Sequence, residues 1–319
     1  MRTTTRWLAG LALAATTLAA AADGWPTRPV RLLVAFPAGA PGDIIARLVQ
    51  PQLQQALGQP VIVDNKPGAG GNLGAQEVAR ATDGHTFLVG PDTMVTINPH
   101  LYRKLAFKPA EDLRPVSYLA RFNQLLVCHP STGFRTLDDF LAGARKGRLS
   151  YASGGAGVPG HMAMEMLVAA TGVSLTHVPY RGPGPAAQDV IGNSVPCGFL
   201  ATPVVGPHVR DGRLVDLAVS GSRRTASLPQ VPTIAESGIA GFDASFYETL
   251  WAPAATPPAV IARLQAEFAK ALAAPETRAR LAAVDLEAVA TTPAEAARQA
   301  QLDSDKWGAV QRRVQLQLD

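Results

Sequence analysis

The chain has 319 residues, more than one hydrophobic core of ordinary size covers, so two domains are expected. Hydrophobic residues make up 47% and charged residues 17%, which excludes a disordered chain. The net charge is only +4 and the basic residues are scattered, without a Lys/Arg-rich block or interleaved aromatics, which argues against nucleic acid as a partner.

The chain opens with a short positive region at Arg2 and Arg6, then an Ala/Leu-rich apolar run over 7–22 that ends on Ala20-Ala21-Ala22. That order is a secretory signal peptide, residues 1–22, cut near Ala22. A membrane anchor is the competing reading, but the run falls short of the ~20 apolar residues a span needs. No later stretch is long and apolar enough to cross a membrane, so the mature protein is expected outside the cytoplasm.

The mature part alternates short β-branched runs with helical patterns. Residues 30–36 read as a buried strand, Gly39 to Gly42 as a loop, and Asp43 as the N-cap of a helix carrying Ile44, Ile45, Leu48, Val49 and Leu53 until Gly58. A strand over 61–63, a glycine loop from Gly68 to Gly74, a helix over 75–81 and a strand over 86–90 follow. The pattern then restarts: strand 149–153, loop Gly154 to Gly160, helix 161–170, strand 175–178, helix 186–191, and strands 195–200 and 214–219. The last third is Ala-rich and helical over 258–274, 275–284 and from Pro293 onward. Extended stretches at 115–127 and 245–251 carry the chain between halves. The predicted class is α/β: two lobes, 23–121 plus 247–319 and 122–246, each a mostly parallel sheet flanked by helices.

Cys128 and Cys197 each lie in an apolar, strand-like run, and buried free thiols are the expected state. A disulfide stays open, because sequence cannot bring two Cα atoms within bonding range. Neither a Cys-x-x-Cys nor a His pair at ligand spacing is present, so no metal site and no cofactor are expected.

The glycine loops carry the functional argument. In open α/β sheets ligands lie beyond the C-terminal strand ends, where helix N-termini present N–H groups and partial positive charge to an anion. A single such loop is more simply a tight turn; their recurrence in both halves points to a clamp. Gly155-Ala156-Gly157-Val158-Pro159-Gly160 matches the G-x-G-x-x-G dinucleotide pattern after a strand and before a helix. The next strand ends at Val178-Pro179-Tyr180-Arg181, without the acid a ribose would need, which argues against an oxidoreductase. Ser153 lacks the flanking glycines of a hydrolase elbow, since Tyr151 holds the first place. His161 is a ligand donor or a capping histidine, and Tyr180 a ligand donor or interlobe packing.

Trp25-Pro26-Thr27-Arg28-Pro29-Val30-Arg31 with Phe36-Pro37-Ala38-Gly39-Ala40-Pro41-Gly42-Asp43 resembles the mature start of the tripartite tricarboxylate transporter receptors, the Bug proteins. So do Asn65-Lys66-Pro67-Gly68-Ala69-Gly70-Gly71-Asn72-Leu73-Gly74, Tyr151-Ala152-Ser153, His177-Val178-Pro179-Tyr180-Arg181-Gly182 and Leu228-Pro229-Gln230-Val231-Pro232-Thr233, in the family's order along the whole mature chain. The resemblance implies a periplasmic, Venus-flytrap-like, monomeric receptor, of type II-like fold, that binds a small carboxylate for a two-subunit permease and is not an enzyme. An exported enzyme or a ligand sensor, using the glycine loops for an anionic substrate, is the alternative.

By position, the resemblance implies ligand contacts at Gly39, Ala40 and Asp43; Gly70, Gly71 and Asn72; Pro91, Asp92 and Thr93; Ser153, Gly154, Gly155, Ala156, Gly157 and His161; Tyr180; and Leu200. Several positions depart from the family's usual residues. Ala40 replaces a glycine, Gly42 a hydroxyl or small residue, Leu200 an Asp, and Asp92 a Ser or Thr; Pro159 removes an N–H donor. Either Asp92 meets a ligand amine or hydroxyl, or it points away from the cleft and the ligand is a less polar acid.

Overall fold

The computed structural model describes residues 24–318, so the 1–22 signal segment lies outside the described residues. The apolar run after Pro29 becomes β1 (Val30–Val34), in which Leu32, Leu33 and Val34 are all buried, as in a strand covered on both faces. Pro41 presets the first turn of α1 (Pro41–Leu57) and Gly58 ends it in the left-handed conformation. This corrects the place of Asp43. Ala40 is the N-cap, because the helix starts at Pro41, and Asp43 sits inside the first turn with its carboxylate accepting from the Gly39 N–H at 2.9 Å.

The winding continues through β2 (Val61–Asn65), α2 (Asn72–Ala79), β3 (Thr86–Pro91), three short helices α3 (Thr93–Thr96), α4 (Asn98–Leu101) and α5 (Pro109–Asp112), and β4 (Leu113–Phe122). Asn123 alone separates β4 from β5 (Gln124–Cys128), which belongs to a second sheet. There follow α6 (Leu137–Arg145), β6 (Ser150–Ser153), α7 (Pro159–Thr171), β7 (Thr176–Pro179), α8 (Pro183–Ile191), β8 (Cys197–Ala201), α9 (Thr202–Arg210) and β9 (Val215–Val219). The chain then returns to the first sheet as β10 (Phe246–Pro253), α10 (Pro258–Ala273), α11 (Pro275–Ala283), β11 (Glu287–Ala288) and α12 (Pro293–Val314).

The six-stranded sheet runs β11-β4-β10-β3-β1-β2 and the five-stranded sheet β7-β6-β8-β5-β9. Both are mixed. The strand–loop–helix units pair in parallel, β1 with β2 and β3, and β6 with β7 and β8. The strands that enter after each crossing pair antiparallel, β10 with β3 and β4, and β5 with β8 and β9. The crossings lie side by side. Ser220 Oγ accepts from the Gln124 N–H (2.9 Å) and donates to the Ala244 carbonyl (2.7 Å), and Ser220 N–H donates to the Gln124 carbonyl (3.0 Å). A hydrogen-bonded bundle of short segments of this kind can bend as one hinge.

Cys128 and Cys197 are not free thiols. They stand opposite each other in the β5–β8 register, with Cα atoms 3.9 Å apart, and form a disulfide. The expectation failed because 69 residues separate them in sequence and only the strand register brings them together. Helix α12 closes over the first sheet, with Trp307 buried and stacked on Phe246 at 5.2 Å. Among the described residues, no helix is long and apolar enough to cross a membrane, and no group of three or more His, Cys, Asp or Glu is placed to hold a metal.

Candidate functional site: the interlobe cleft

The loops after the parallel strands face each other across a narrow cleft. The Pro37 ring lies where a Cβ on Gly182 would be 2.7 Å away, and a Cβ on Gly157 would be 3.1 Å from Asn98 Oδ1. Only glycine lets the two lobes come this close at these positions. Between them is a pocket whose free space, counting the part open to solvent, is about 380 Å³. Its wall is mostly apolar, with Phe36, Pro91, Phe122, Val158 and Leu200. An outer chamber of about 630 Å³ shares Phe36 and Gly154 with it and is lined by Gly68 to Gly71, Tyr102, Gly155, Ala156 and Pro179 to Gly182.

Four helices start on the inner cavity. Ala40 and Pro41 open α1, Pro159 and Gly160 open α7, Pro183 opens α8, and Ala201 caps α9. Three of them have Pro as the first helical residue, which sets the helical φ where the missing N–H costs no intrahelical bond. Each N-terminus contributes partial positive charge, worth about 0.3–1 kcal/mol to a nearby anion where solvent reaches it and more where it does not. The arrangement suits a small anion with an apolar body.

Comparison with known proteins agrees with this geometry. A family model described as the tripartite tricarboxylate transporter family receptor matches residues 45–316. The chain belongs to that family. Protein BugT of Bordetella pertussis is 35% identical over 297 residues, covering 91% of each chain. Rhodopseudomonas palustris Rpa4515, solved with adipate, is similar at 31% identity and a TM-score of 0.88, over 92% of this chain and 99% of its own. MatC (Rpa3494) of the same organism, solved with malate, gives 31% identity and a TM-score of 0.85, over 90% and 99%. As a member of this receptor family, the chain is a periplasmic solute-binding protein of a tripartite transporter and not an enzyme.

In this receptor, Ala40, Pro91, Gly154 and Leu200 line the inner cavity, while Gly70, Gly71, Gly155, Ala156 and Tyr180 line the outer chamber. Gly39 and Asp43 serve the loop itself. Besides Gly39, the Asp43 carboxylate takes Arg47 Nε at 2.9 Å and Asn65 Nδ2 at 3.0 Å, which hold its pKa down against burial. Asn72 accepts from Asn98 Nδ2 at 2.7 Å. Thr93 is buried behind the cleft with Asp92. Tyr180 gives its hydroxyl to Asp189 at 2.5 Å, within its own lobe.

Asp92 lies outside both chambers. It is fully buried, accepts the Tyr247 N–H at 3.2 Å, and returns its own N–H to the Tyr247 carbonyl. Burial, then the nearby Asp303, push its pKa well up, so it is held as a neutral acid beneath β10. The acid that does reach the inner cavity is Glu248, and Gln124 faces the same space. Sequence reasoning passed over both, having read 115–127 and 245–251 only as crossings. The available signal was a charged residue in the apolar run Phe246-Tyr247-Glu248-Thr249-Leu250-Trp251, where both strand faces are covered. A Cβ on Gly42 would sit 2.7 Å from Glu248 Oε2, so the glycine at 42 leaves room for that carboxyl.

Ser153 and His177 form an unforeseen pair, with Oγ 2.7 Å from Nε2. The hydroxyl is fully buried, donates to the Gly155 carbonyl at 2.9 Å and accepts the Gly155 N–H at 3.2 Å. It pins the loop and has no path to a substrate. His161 stacks on His177, ring centroids 4.0 Å apart, and its Nδ1 accepts the Gly157 N–H at 3.0 Å. Burial, and then His177, bring the His161 pKa down to about 3, so its 3.6 Å contact with Glu165, whose own pKa burial raises, is not an ion pair.

A neutral buried histidine has a stability consequence with a definite sign. The unfolded chain binds the proton near the ordinary value of 6.5 while the folded chain resists it until about 3. The contribution of His161 is therefore complete above pH 6.5 and is lost as pH falls from there toward 3. Between pH 7 and pH 5 the wild type is expected to lose about 2 kcal/mol more than His161→Gln, read from urea unfolding at both pH values. Parallel losses in the two proteins would show that His161 is not held neutral.

Proposed function

We propose that this receptor closes lobes 23–121 plus 247–319 and 122–246 over one small carboxylate, as a monomer, and delivers it to a two-subunit permease after removal of the signal segment near Ala22. The observation that carries the reading is the convergence of four helix N-termini on one mostly apolar cavity. The structural relatives solved with adipate and with malate support the ligand class. On this reading, Ala40, Pro91, Gly154 and Leu200 contact the ligand directly. Gly70, Gly71, Gly155, Ala156 and Tyr180 close the outer chamber. Asp43, Asn72, Ser153, Gly157 and His161 fix the loops.

The test is thermal unfolding of the mature protein with succinate, malate, adipate, hexanoate and benzoate. A ligand at one hundred times its Kd stabilises by about 2.7 kcal/mol. For a protein of this size that raises Tm by roughly 4 °C. At least one of these acids is expected to do so. A flat response to all five would sink the carboxylate reading.

A further inference from the structure

We infer that Glu248 enters the cleft as a neutral carboxylic acid and, together with the Gln124 amide, donates hydrogen bonds to the bound carboxylate, so selecting acids with an apolar body. The inference deepens the function proposed above and rests on it.

Gln124 and Glu248 are the two polar side chains in the wall of the inner cavity, and each is 2% exposed. Gln124 Nε2 and Glu248 Oε2 each lack a hydrogen-bond partner. Buried polar atoms are normally paired, so a donor and a carboxyl oxygen left open on one cavity mark a place for a ligand. They come from different sheets, Gln124 from β5 and Glu248 from β10, so a ligand held by both ties the lobes together.

Charge decides which protonation state Glu248 brings. No Lys, Arg or His lines the cavity. The groups acting on Glu248 are the Gly42 N–H from α1 and Asp92, which directly follows β3; Asp43, next to Gly42, is taken up by Arg47. Beyond Asp92 stand Tyr118 on β4, Tyr247 on β10, and Asp303 and Lys306 on α12. Lys306 gives its ammonium to the Asp243 carbonyl at 2.7 Å and acts on Asp92 and Asp303. An ionised Glu248 would be a buried charge without an opposite charge beside it and next to another acid, which is costly. The neutral form has an O–H to give, and a carboxylate is the acceptor that strengthens that bond most.

Calorimetric titration of the mature protein with hexanoate, adipate and benzoate, and with norleucine as the ammonium-bearing probe, decides the matter. Glu248→Gln keeps a donor at the same place and is expected to bind the preferred acid within about threefold of wild type, while Glu248→Leu loses about tenfold or more. Wild-type affinity is expected to hold or fall from pH 6 to pH 8, because the protonated form is the binding form. Loss of binding in Glu248→Gln, affinity that rises with pH, or a preference for norleucine would each overturn the inference and leave carboxylate capture standing. Failure of all three acids to bind wild type would instead remove the function reading and this inference with it. The Glu248→Gln and pH results stand even if Glu248→Leu fails to fold.

Discussion

Gly160→Ala is expected to destabilise the receptor by about 3 kcal/mol or more, lowering Tm by roughly 5 °C or more, and to abolish ligand-dependent stabilisation. Gly160 is the second residue of α7, whose first turn presses on β8. A Cβ there would stand 2.0 Å from the Phe199 carbonyl oxygen and 3.2 Å from Gln124 Oε1. The nearer contact is backbone in the middle of a five-stranded sheet, so it cannot rotate away as a side chain would. The helix must lift, and its N-terminus leaves the cavity. Gly184 supplies the control. It too follows a proline that opens a helix, in α8, yet nothing lies within 4 Å of its Cβ position. Gly184→Ala is expected to be neutral or to stabilise by up to about 1 kcal/mol, through the better helix propensity of alanine and the smaller entropy of the unfolded chain. Equal effects of the two substitutions in thermal unfolding would refute the steric account.

Replacing both half-cystines, Cys128→Ala with Cys197→Ala, is expected to cost about 4 kcal/mol, the chain-entropy value for a loop closed over the 69-residue separation. The loop holds α6, β6, α7, β7 and α8, so the loss falls on the second lobe and on the loops it contributes to the cleft. Both cysteines are fully buried, and the alanines add the removal of packed sulfur to the entropic term. Urea unfolding of wild type and the double variant, with and without a reductant, separates the parts. The double variant should be indifferent to reductant, while reduced wild type should approach it. A double variant within about 1 kcal/mol of oxidised wild type would show that the bridge does not constrain the unfolded chain as its span implies.

Much of the fold was legible because its signals are local. Buried strands read as β-branched runs, and the helix starts at Pro258, Pro275 and Pro293 and the helix end at Gly58 were legible, whereas Pro41 and Pro159, read as loop, and Pro183 open their helices two or three residues earlier than expected. The short helices after β3 were missed, since four-residue helices have no periodicity to detect. At the site, the glycine loops were found by sequence, and Glu248 and Gln124 were not. Nothing in the order of residues says that an acid in β10 and an amide in β5 face one space.

Sequence by itself determined the α/β alternation, the glycine loops at the strand ends and the likeness to a receptor family along the mature chain, because each depends on neighbours within a few turns. Only tertiary structure decided the rest. It joined Cys128 to Cys197 through strand register. It sent Asp92 beneath β10 and Glu248 into the cavity, because the same short-range preferences fit either acid. It also made two identical Pro-Gly helix starts unequal, since Gly160 meets a backbone carbonyl and Gly184 meets open space. Packing across distant segments sets those outcomes, and no local pattern encodes which surface a residue will meet.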